Sequence, residues 1–138
     1  MSLTTSYFAV LGKIQGWTKI SVARFNHPRT LAHVDEIQRT FAPSVPLLNR
    51  YKGGKMSWFE YVRRYTEEQR EHYMEKREDF DGLLRRAEHR NIVLACYERF
   101  EGPETKCHRI LLYEMLKKVA NRRDFDVKFV DEIIRTKK

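Results

Sequence analysis

The sequence predicts a small three-layer α/β domain with a mostly parallel sheet of about four strands and a long helical crossover. Short apolar runs bounded by Gly, Pro or Asn, which are typical of buried strands, alternate with segments whose apolar residues recur at helical spacing. Strands that alternate with helices favour parallel pairing through right-handed crossovers. Residues 1–138 are expected to form a single α/β domain, because this length suits one hydrophobic core.

Two strands and a short helix are predicted in the first third of the chain. The first strand is the apolar run 7–11, which ends at Gly12, and the second is the β-branched stretch 20–25. Apolar side chains then recur at helical spacing over 31–41, which predicts a helix. The stretch 43–46 holds two prolines and cannot lie inside a helix.

The region between residues 31 and 90 predicts a long, mostly helical crossover. Gly53 and Gly54 mark a break within it. Ser57 and Glu60 then form a capping box at the start of the longest helix. A second helix is predicted over 79–89, where apolar side chains again recur at helical spacing.

The last third of the chain predicts the centre and one edge of the sheet. The most apolar run, 92–97, is typical of a strand covered on both faces. A polar loop over 98–106 follows, and Thr105 is expected to cap the next helix. Apolar and charged residues alternate from 127 to 133, which favours an edge strand.

The chain is basic, with 27 Lys and Arg against 19 Asp and Glu and a net charge of +8. Phosphate contacts are made by such side chains, so nucleic-acid association is an alternative function. The excess is spread along the chain, however, and a short basic tail at 135–138 is one of only a few small clusters. A charge-rich solvated surface is therefore favoured, and the segment 51–55 is a further anion-binding candidate.

Membrane and secretory classes are not indicated. No run approaches the ~20 apolar residues of a membrane span. The first twelve residues carry no basic group before their apolar run, so no signal peptide is expected. Two cysteines are too few for the disulfide framework of a small secreted domain. We therefore expect a cytoplasmic protein with no membrane partner. The sequence alone does not determine the oligomeric state.

Chemistry-bearing side chains follow the predicted strands. Ligands of open α/β sheets bind beyond the carboxyl ends of strands, often at a helix N-terminus. The side chains at these places are Arg24, His27, Arg29, Cys96, Glu98, Cys107, His108 and Arg109. The sequence therefore predicts a pocket for a small anionic molecule at this edge of the sheet.

The predicted roles follow from the residue types. The arginines would hold the anionic group. A helix N-terminus and basic neighbours favour a thiolate at Cys107, and His108 would carry a proton, while Glu98 would orient His108 or Arg109. Two plainer interpretations stay open. Cys107 is then a half-buried packing residue, or the whole set is a satisfied polar network in a structural or interaction module.

Disulfide, metal and cofactor chemistry are alternatives for the same residues. The spacing of Cys96 and Cys107 permits a disulfide but cannot show one. These cysteines, His108 and the distant His27 offer four metal ligands, yet the chain has no CxxC or HxxxH pair. It also lacks a cysteine-phosphatase loop and the Walker and dinucleotide fingerprints. No metal and no cofactor are therefore predicted.

Two blocks of the sequence resemble the domain of unknown function 488 family. Residues 41–44, with Trp-Phe-Glu-Tyr at 58–61 and Arg-Tyr at 64–65, resemble its YeaO-like branch. The strand 92–97 with Glu98, followed by Cys-His-Arg at 107–109 and Leu-Leu at 111–112, resembles the C-terminal signature of the other branch. The resemblance implies a compact α/β domain and a shared site that contains Cys107, His108 and Arg109. It implies no particular reaction.

Overall fold

A parallel sheet organises the computed structural model, which describes residues 1–102 and 104–134. Its strands are β1 (Ser2–Tyr7), β2 (Thr18–Ser21), β3 (Glu36–Ile37), β4 (Ile92–Cys96) and β5 (Lys128–Phe129). They lie in the order β3-β2-β4-β1-β5, and every neighbouring pair is parallel. The predicted α/β class is confirmed, with five strands in the described residues where about four were expected.

Helices cover the sheet on both faces. They are α1 (Phe8–Leu11), α2 (Pro28–Leu31), α3 (Val45–Lys52), α4 (Trp58–Glu75), α5 (Arg77–His89) and α6 (His108–Arg122). The long crossover is confirmed, since α3, α4 and α5 all lie between β3 and β4. The helices α4, α5 and α6 contact one another. Right-handed crossovers that run in opposite directions cover opposite faces, so α1 lies across the sheet from this group.

The first strand lies earlier than the sequence predicts. The apolar run 7–11 was expected to be a strand, but β1 ends at Tyr7 and Phe8–Leu11 is a helical turn. The strand itself contains Thr4, Thr5 and Ser6, all of them buried. A search for apolar runs passes over such a strand because three of its four buried residues are polar.

The buried hydroxyls of β1 have partners at the far end of the chain. Thr4 Oγ1 donates to the carbonyls of Val130 and Asp131, at 3.0 and 2.8 Å. Ser6 Oγ donates to the carbonyl of Ile133 at 2.5 Å. The hydroxyls are thus satisfied by a segment more than 120 residues away, which explains how a polar strand is stable inside the sheet.

The helix predicted over 31–41 is wrong. Its place is taken by the end of α2, the strand β3 and a 3-10 turn over Arg39–Phe41. The backbone N–H of Lys19 donates to the Asp35 carboxylate at 2.7 Å, and the Asp35 N–H donates to the Lys19 carbonyl at 2.8 Å. These bonds draw the chain to the edge of β2, where ladder pairing replaces the local helical pattern.

The helix α3 was not predicted. The prolines of the stretch 43–46 exclude it from a helix interior, and it indeed lies at a helix start, where Ser44 caps α3 and Pro46 is in the first turn. Ser44 Oγ accepts from the Leu47 N–H at 3.3 Å, and Pro46 lies in the first turn, where its missing N–H costs nothing. The predicted break is confirmed, since Gly53 caps α3, and Ser57 Oγ caps α4 by accepting from the Glu60 N–H at 3.1 Å.

The remaining three strands overlap the predicted stretches, although their bounds differ and β2 begins two residues earlier. The stretch 20–25 contains the end of β2, the run 92–97 contains β4, and the alternating segment 127–133 contains β5 at the sheet edge. The basic tail at 135–138 lies outside the described residues. No helix among the described residues is both long enough and apolar enough to span a membrane.

One buried hydrogen bond ties the long crossover to the sheet. Tyr65 is 1% exposed, and its hydroxyl donates to the Phe41 carbonyl at 2.7 Å. Burial raises the pKa of Tyr65 well above its ordinary value, so the hydroxyl stays protonated and keeps donating. This bond fixes α4 against the 3-10 turn that follows β3.

The substitution Tyr65→Phe is expected to lower the free energy of unfolding by about 1–3 kcal/mol, because the buried Phe41 carbonyl loses its donor. Urea unfolding followed by circular dichroism measures the change. Tyr73→Phe is the matched control, since within residues 1–102 and 104–134 the Tyr73 hydroxyl has no hydrogen-bond partner. Equal losses in the two variants would show that the Tyr65 bond contributes nothing specific.

Candidate functional site

The strands β2 and β4 are neighbours whose outgoing connections run in opposite directions along the sheet. The chain leaves β2 toward β3 at one edge, and it leaves β4 toward β5 at the other. Such a reversal opens a crevice beyond the carboxyl ends of the two strands. A cleft of about 960 Å³ lies at this point.

The cleft collects five of the eight predicted site residues. Arg24 enters from the segment after β2, Cys96 and Glu98 from the end of β4, and Cys107 and His108 from the start of α6. His27, Arg29 and Arg109 are not part of the cleft lining. The walls also include Phe25, Tyr51, Lys52, Trp58, Tyr61, Tyr97, Arg99 and Lys106.

The loop between β4 and α6 is closed by Thr105, which does not cap the helix as predicted. Its hydroxyl donates to the Gly102 carbonyl at 2.8 Å and accepts from the Glu101 N–H at 2.7 Å. Gly102 has a φ of +75°, a conformation that favours glycine. The helix begins two residues later than predicted, with Cys107 in the capping position and without a side-chain bond there. The loop thus returns Cys107 to the end of β4.

The two cysteines meet at the floor of the cleft. Their sulfurs are in bonding contact as a Cys96–Cys107 disulfide, and both residues are buried. The sequence separation of the two cysteines left this pairing open, and the fold brings their sulfurs into contact. The Cα atoms lie 7.8 Å apart, which is wider than the usual disulfide span of about 4.4–6.8 Å.

His108 lies beside Cys107 with one tautomer selected. Its Nε2 lies 2.7 Å from the Val22 carbonyl, and because a carbonyl only accepts, Nε2 carries the proton. Its Nδ1 then presents a lone pair, 3.9 Å from the Cys107 sulfur. Burial, assisted by the charge of Arg109, lowers the pKa of His108 to about 4, so the ring is neutral near pH 7.

Arg109 occupies a different environment from the one the sequence predicts. It is fully buried, and its Nε and Nη2 donate to the two carboxylate oxygens of Glu132, each at 2.8 Å. Its Nη1 donates to the Cys96 sulfur at 3.1 Å, and Thr5 Oγ1 donates to Glu132 at 2.7 Å. The guanidinium is therefore held inside the protein, where it orients Cys96.

Arg24 is the cleft arginine with a fixed position. Its Nε donates to the Pro43 carbonyl at 2.9 Å, and its Nη2 donates to the Arg39 carbonyl at 3.4 Å. Glu98, which was expected to orient His108 or Arg109, instead pairs with Lys52 at 3.0 Å. This pair lies on the cleft wall and is partly exposed.

His27 and Arg29 lie beside the cleft on α2. The His27 ring accepts from the Arg29 N–H at 3.1 Å and so caps this short helix. The His27 N–H donates to the Tyr97 hydroxyl at 2.7 Å. Since Tyr97 lines the cleft, α2 supports its rim, while the His27 and Arg29 side chains are not in the lining.

The sequence did not predict the aromatic wall of the cleft. Aromatic residues on α4 were interpreted as packing a helix on the sheet, and Tyr61 and Tyr65 are indeed buried. Trp58 and Tyr61 also stack, with ring centroids 5.2 Å apart, and both face the cleft. The sequence signal that would have located this wall is the Ser-Val-Pro start of α3 at 44–46. That helix brings Tyr51 and Lys52 to the same wall.

These features define a parallel α/β protein with a cysteine- and histidine-containing cleft at the carboxyl ends of its strands. A family model described as the active DUF488-N3 subclade matches residues 12–120, which is well over half of the chain and includes every predicted site residue. The chain therefore belongs to the DUF488 family, and the resemblance is confirmed at the family level. No curated protein and no solved structure matches the chain.

The substitution Glu132→Gln is expected to lower the free energy of unfolding by about 3–5 kcal/mol, because it leaves the buried Arg109 charge without its carboxylate. Glu78→Gln is the matched control. It removes the same charge from a solvent-exposed pair with Arg85, where a loss below about 1 kcal/mol is expected. Urea unfolding at neutral pH measures both values. A loss for Glu132→Gln no larger than the control would contradict a structural role for the buried pair.

Proposed function

We propose that the protein binds a small anionic ligand in this cleft, with Arg24 as the anchor and with Cys107 and His108 as the reactive groups beneath it. The observation that carries the proposal is the position and hydrogen bonding of Arg24. It lines the cleft, two backbone carbonyls hold it, and within residues 1–102 and 104–134 it forms no ion pair. A half-buried guanidinium in this condition favours an anion as its partner.

The hydrogen-bonding capacity of Arg24 supports the same proposal. The backbone carbonyls of Pro43 and Arg39 occupy Nε and one N–H of Nη2. The remaining N–H groups are available to a carboxylate or phosphate oxygen. Because the carbonyls fix the plane of the guanidinium, little side-chain entropy is lost when the ligand binds.

The charge of the cleft favours a small anion over a polyanion. Four cations line it, and so do three carboxylates. Lys52 already pairs with Glu98. Glu101 and Glu104 offset much of the charge of Arg99 and Lys106, so a nucleic-acid backbone would meet repulsion as well as attraction. The proposed ligand therefore carries one anionic group.

The aromatic wall indicates the rest of the ligand. Trp58, Tyr61 and Tyr97 line the cleft together with Phe25, which is 56% exposed. Aromatic faces bind apolar or planar groups with considerable buried area. A ligand with one anionic group and a planar or apolar body fits this combination.

The chemistry we propose begins after a thiol reductant, which supplies two electrons and two protons, has cleaved the Cys96–Cys107 disulfide to two thiols. His108 Nδ1 accepts the proton of the Cys107 thiol as the sulfur forms its bond to an electrophilic centre of the ligand, since the lowered pKa of His108 keeps the ring neutral until then. The leaving group departs with the electron pair of the broken bond and receives the proton from His108. The 3.9 Å separation of Nδ1 and Sγ supports this transfer, and the description of the matched subclade as active is consistent with a chemical role.

The substitution Arg24→Ala is expected to weaken the binding of inorganic phosphate, sulfate or acetate by roughly tenfold or more, because a charge-assisted hydrogen bond is lost. Isothermal titration at low ionic strength measures the dissociation constants. Arg122→Ala is the matched control, since it removes an equal charge from an exposed position at the opposite end of α6. Equal weakening in both variants would show a net-charge effect, and absence of binding to the native protein would overturn the anion proposal.

For the reduced protein, His108→Asn is expected to slow the alkylation of Cys107 by iodoacetamide near neutral pH by roughly tenfold or more, because the thiol loses its proton acceptor. Mass spectrometry of the peptides assigns the alkylated residue. His89→Asn is the control, because His89 is exposed at the end of α5. Equal alkylation rates of Cys107 in the native protein and in His108→Asn would remove the thiol chemistry while leaving the anion proposal in place.

A further inference from the structure

The floor of the cleft holds three side chains that can each ligate a metal ion. The sulfurs of Cys96 and Cys107 and a ring nitrogen of His108 all lie within 4.8 Å of one another. All three residues are buried, and all three line the cleft. Two sulfurs and an imidazole nitrogen are a donor set that suits zinc better than calcium or magnesium.

We propose that the reduced Cys96, Cys107 and His108 bind one thiophilic divalent cation, for which Zn²⁺ is the best fit. The protein supplies three ligands, and the fourth coordination position faces the cleft. This inference goes beyond the proposed function, because it does not require that the cleft bind an anion. The metal-bound state is an alternative to the thiol chemistry, since an ion occupies the Cys107 sulfur and His108 Nδ1. No metal was predicted from the sequence, since the ligands are not arranged as a CxxC or HxxxH pair and only the fold brings them together.

The backbone spacing of the cysteines suits a shared ion. Two sulfurs on one tetrahedral zinc lie roughly 3.8 Å apart, given a Zn–S distance of about 2.3 Å. The Cα atoms of Cys96 and Cys107 are 7.8 Å apart, which is wide for a disulfide. Reduction of the disulfide by a thiol reductant therefore lets the sulfurs separate around an ion, to which they bind as thiolates with release of two protons, while the strand end and the helix start stay in place.

The surrounding hydrogen bonds are those that orient metal ligands. A metal-binding histidine usually donates its other N–H to a carbonyl or carboxylate. His108 donates its Nε2 proton to the Val22 carbonyl, which leaves Nδ1 for the ion. Arg109 donates to the Cys96 sulfur at 3.1 Å and so stabilises negative charge on that ligand.

The number of ligands indicates a reactive ion rather than a structural one. Structural zinc sites have four protein ligands, whereas catalytic sites have three and keep one position for water or substrate. Within the part of the chain that the structure describes, no fourth His, Cys, Asp or Glu joins the group. The fourth position would therefore be taken by water or by a ligand that enters the cleft.

Titration of the reduced protein with Co²⁺ under anaerobic conditions tests the proposal. Thiolate coordination gives a sulfur-to-cobalt charge-transfer absorption, and Zn²⁺ should displace it at one equivalent per chain. Cys96→Ser, Cys107→Ser and His108→Asn should each raise the dissociation constant by more than roughly 100-fold, which is the upper end of the effect of losing an outer-shell partner. His89→Asn should leave it unchanged, and the disulfide form should give no charge-transfer band.

Two control measurements show that a negative Co²⁺ titration is not caused by oxidised or unfolded protein. A thiol assay must count two reduced cysteines in the native protein, and circular dichroism must show that each variant is folded. Absence of the charge-transfer band in such a protein, or its retention in all three ligand variants, overturns the metal site. Failure of phosphate, sulfate and acetate to bind would overturn only the anion proposal, so the two failures are distinguishable.

Discussion

The buried ion pair between Arg109 and Glu132 is the constraint on which the arrangement of the site depends. A fully buried guanidinium is strongly destabilising unless a carboxylate and further hydrogen bonds satisfy it. Here the carboxylate follows β5, the sulfur acceptor belongs to Cys96 at the end of β4, and Thr5 of β1 donates to the same carboxylate. One charge therefore links α6, two central strands and the last segment of the described chain. The start of α6 is fixed above the end of β4, and this brings Cys107 to Cys96.

The chemistry of the cleft follows from this anchoring. With α6 held in place, His108 reaches the Val22 carbonyl beyond β2, and its other nitrogen turns toward Cys107. The reversal of connections between β2 and β4 leaves the space above these groups open. In the proposed function, the buried donors at the floor supply the sulfur and imidazole chemistry. The partly exposed cations and aromatic rings on the walls then bind the ligand.

The sequence predicted the parts of the fold that local pattern controls. The apolar run 92–97 identified the central strand, and the capping box at Ser57 located α4. It did not predict β1, because the buried hydroxyls of Thr4 and Ser6 are satisfied by carbonyls more than 120 residues away. The site was predicted only in part, because some of its contacts also join residues that are far apart in the sequence. Strand-end reasoning brought Cys96, Cys107 and His108 to one edge of the sheet, but no local signal shows that Glu132 neutralises Arg109.

The fold holds the two cysteine sulfurs together at the floor of the cleft. The affinity of the reduced protein for a trivalent aryl arsenical, which binds two neighbouring thiols at once, tests this proximity without the disulfide. We expect one equivalent per chain and much tighter binding by the native protein than by the urea-unfolded chain, where only the short loop between the cysteines keeps them near. Equal affinity in the two states, or no binding by the native protein, would show that the fold does not hold the thiols together.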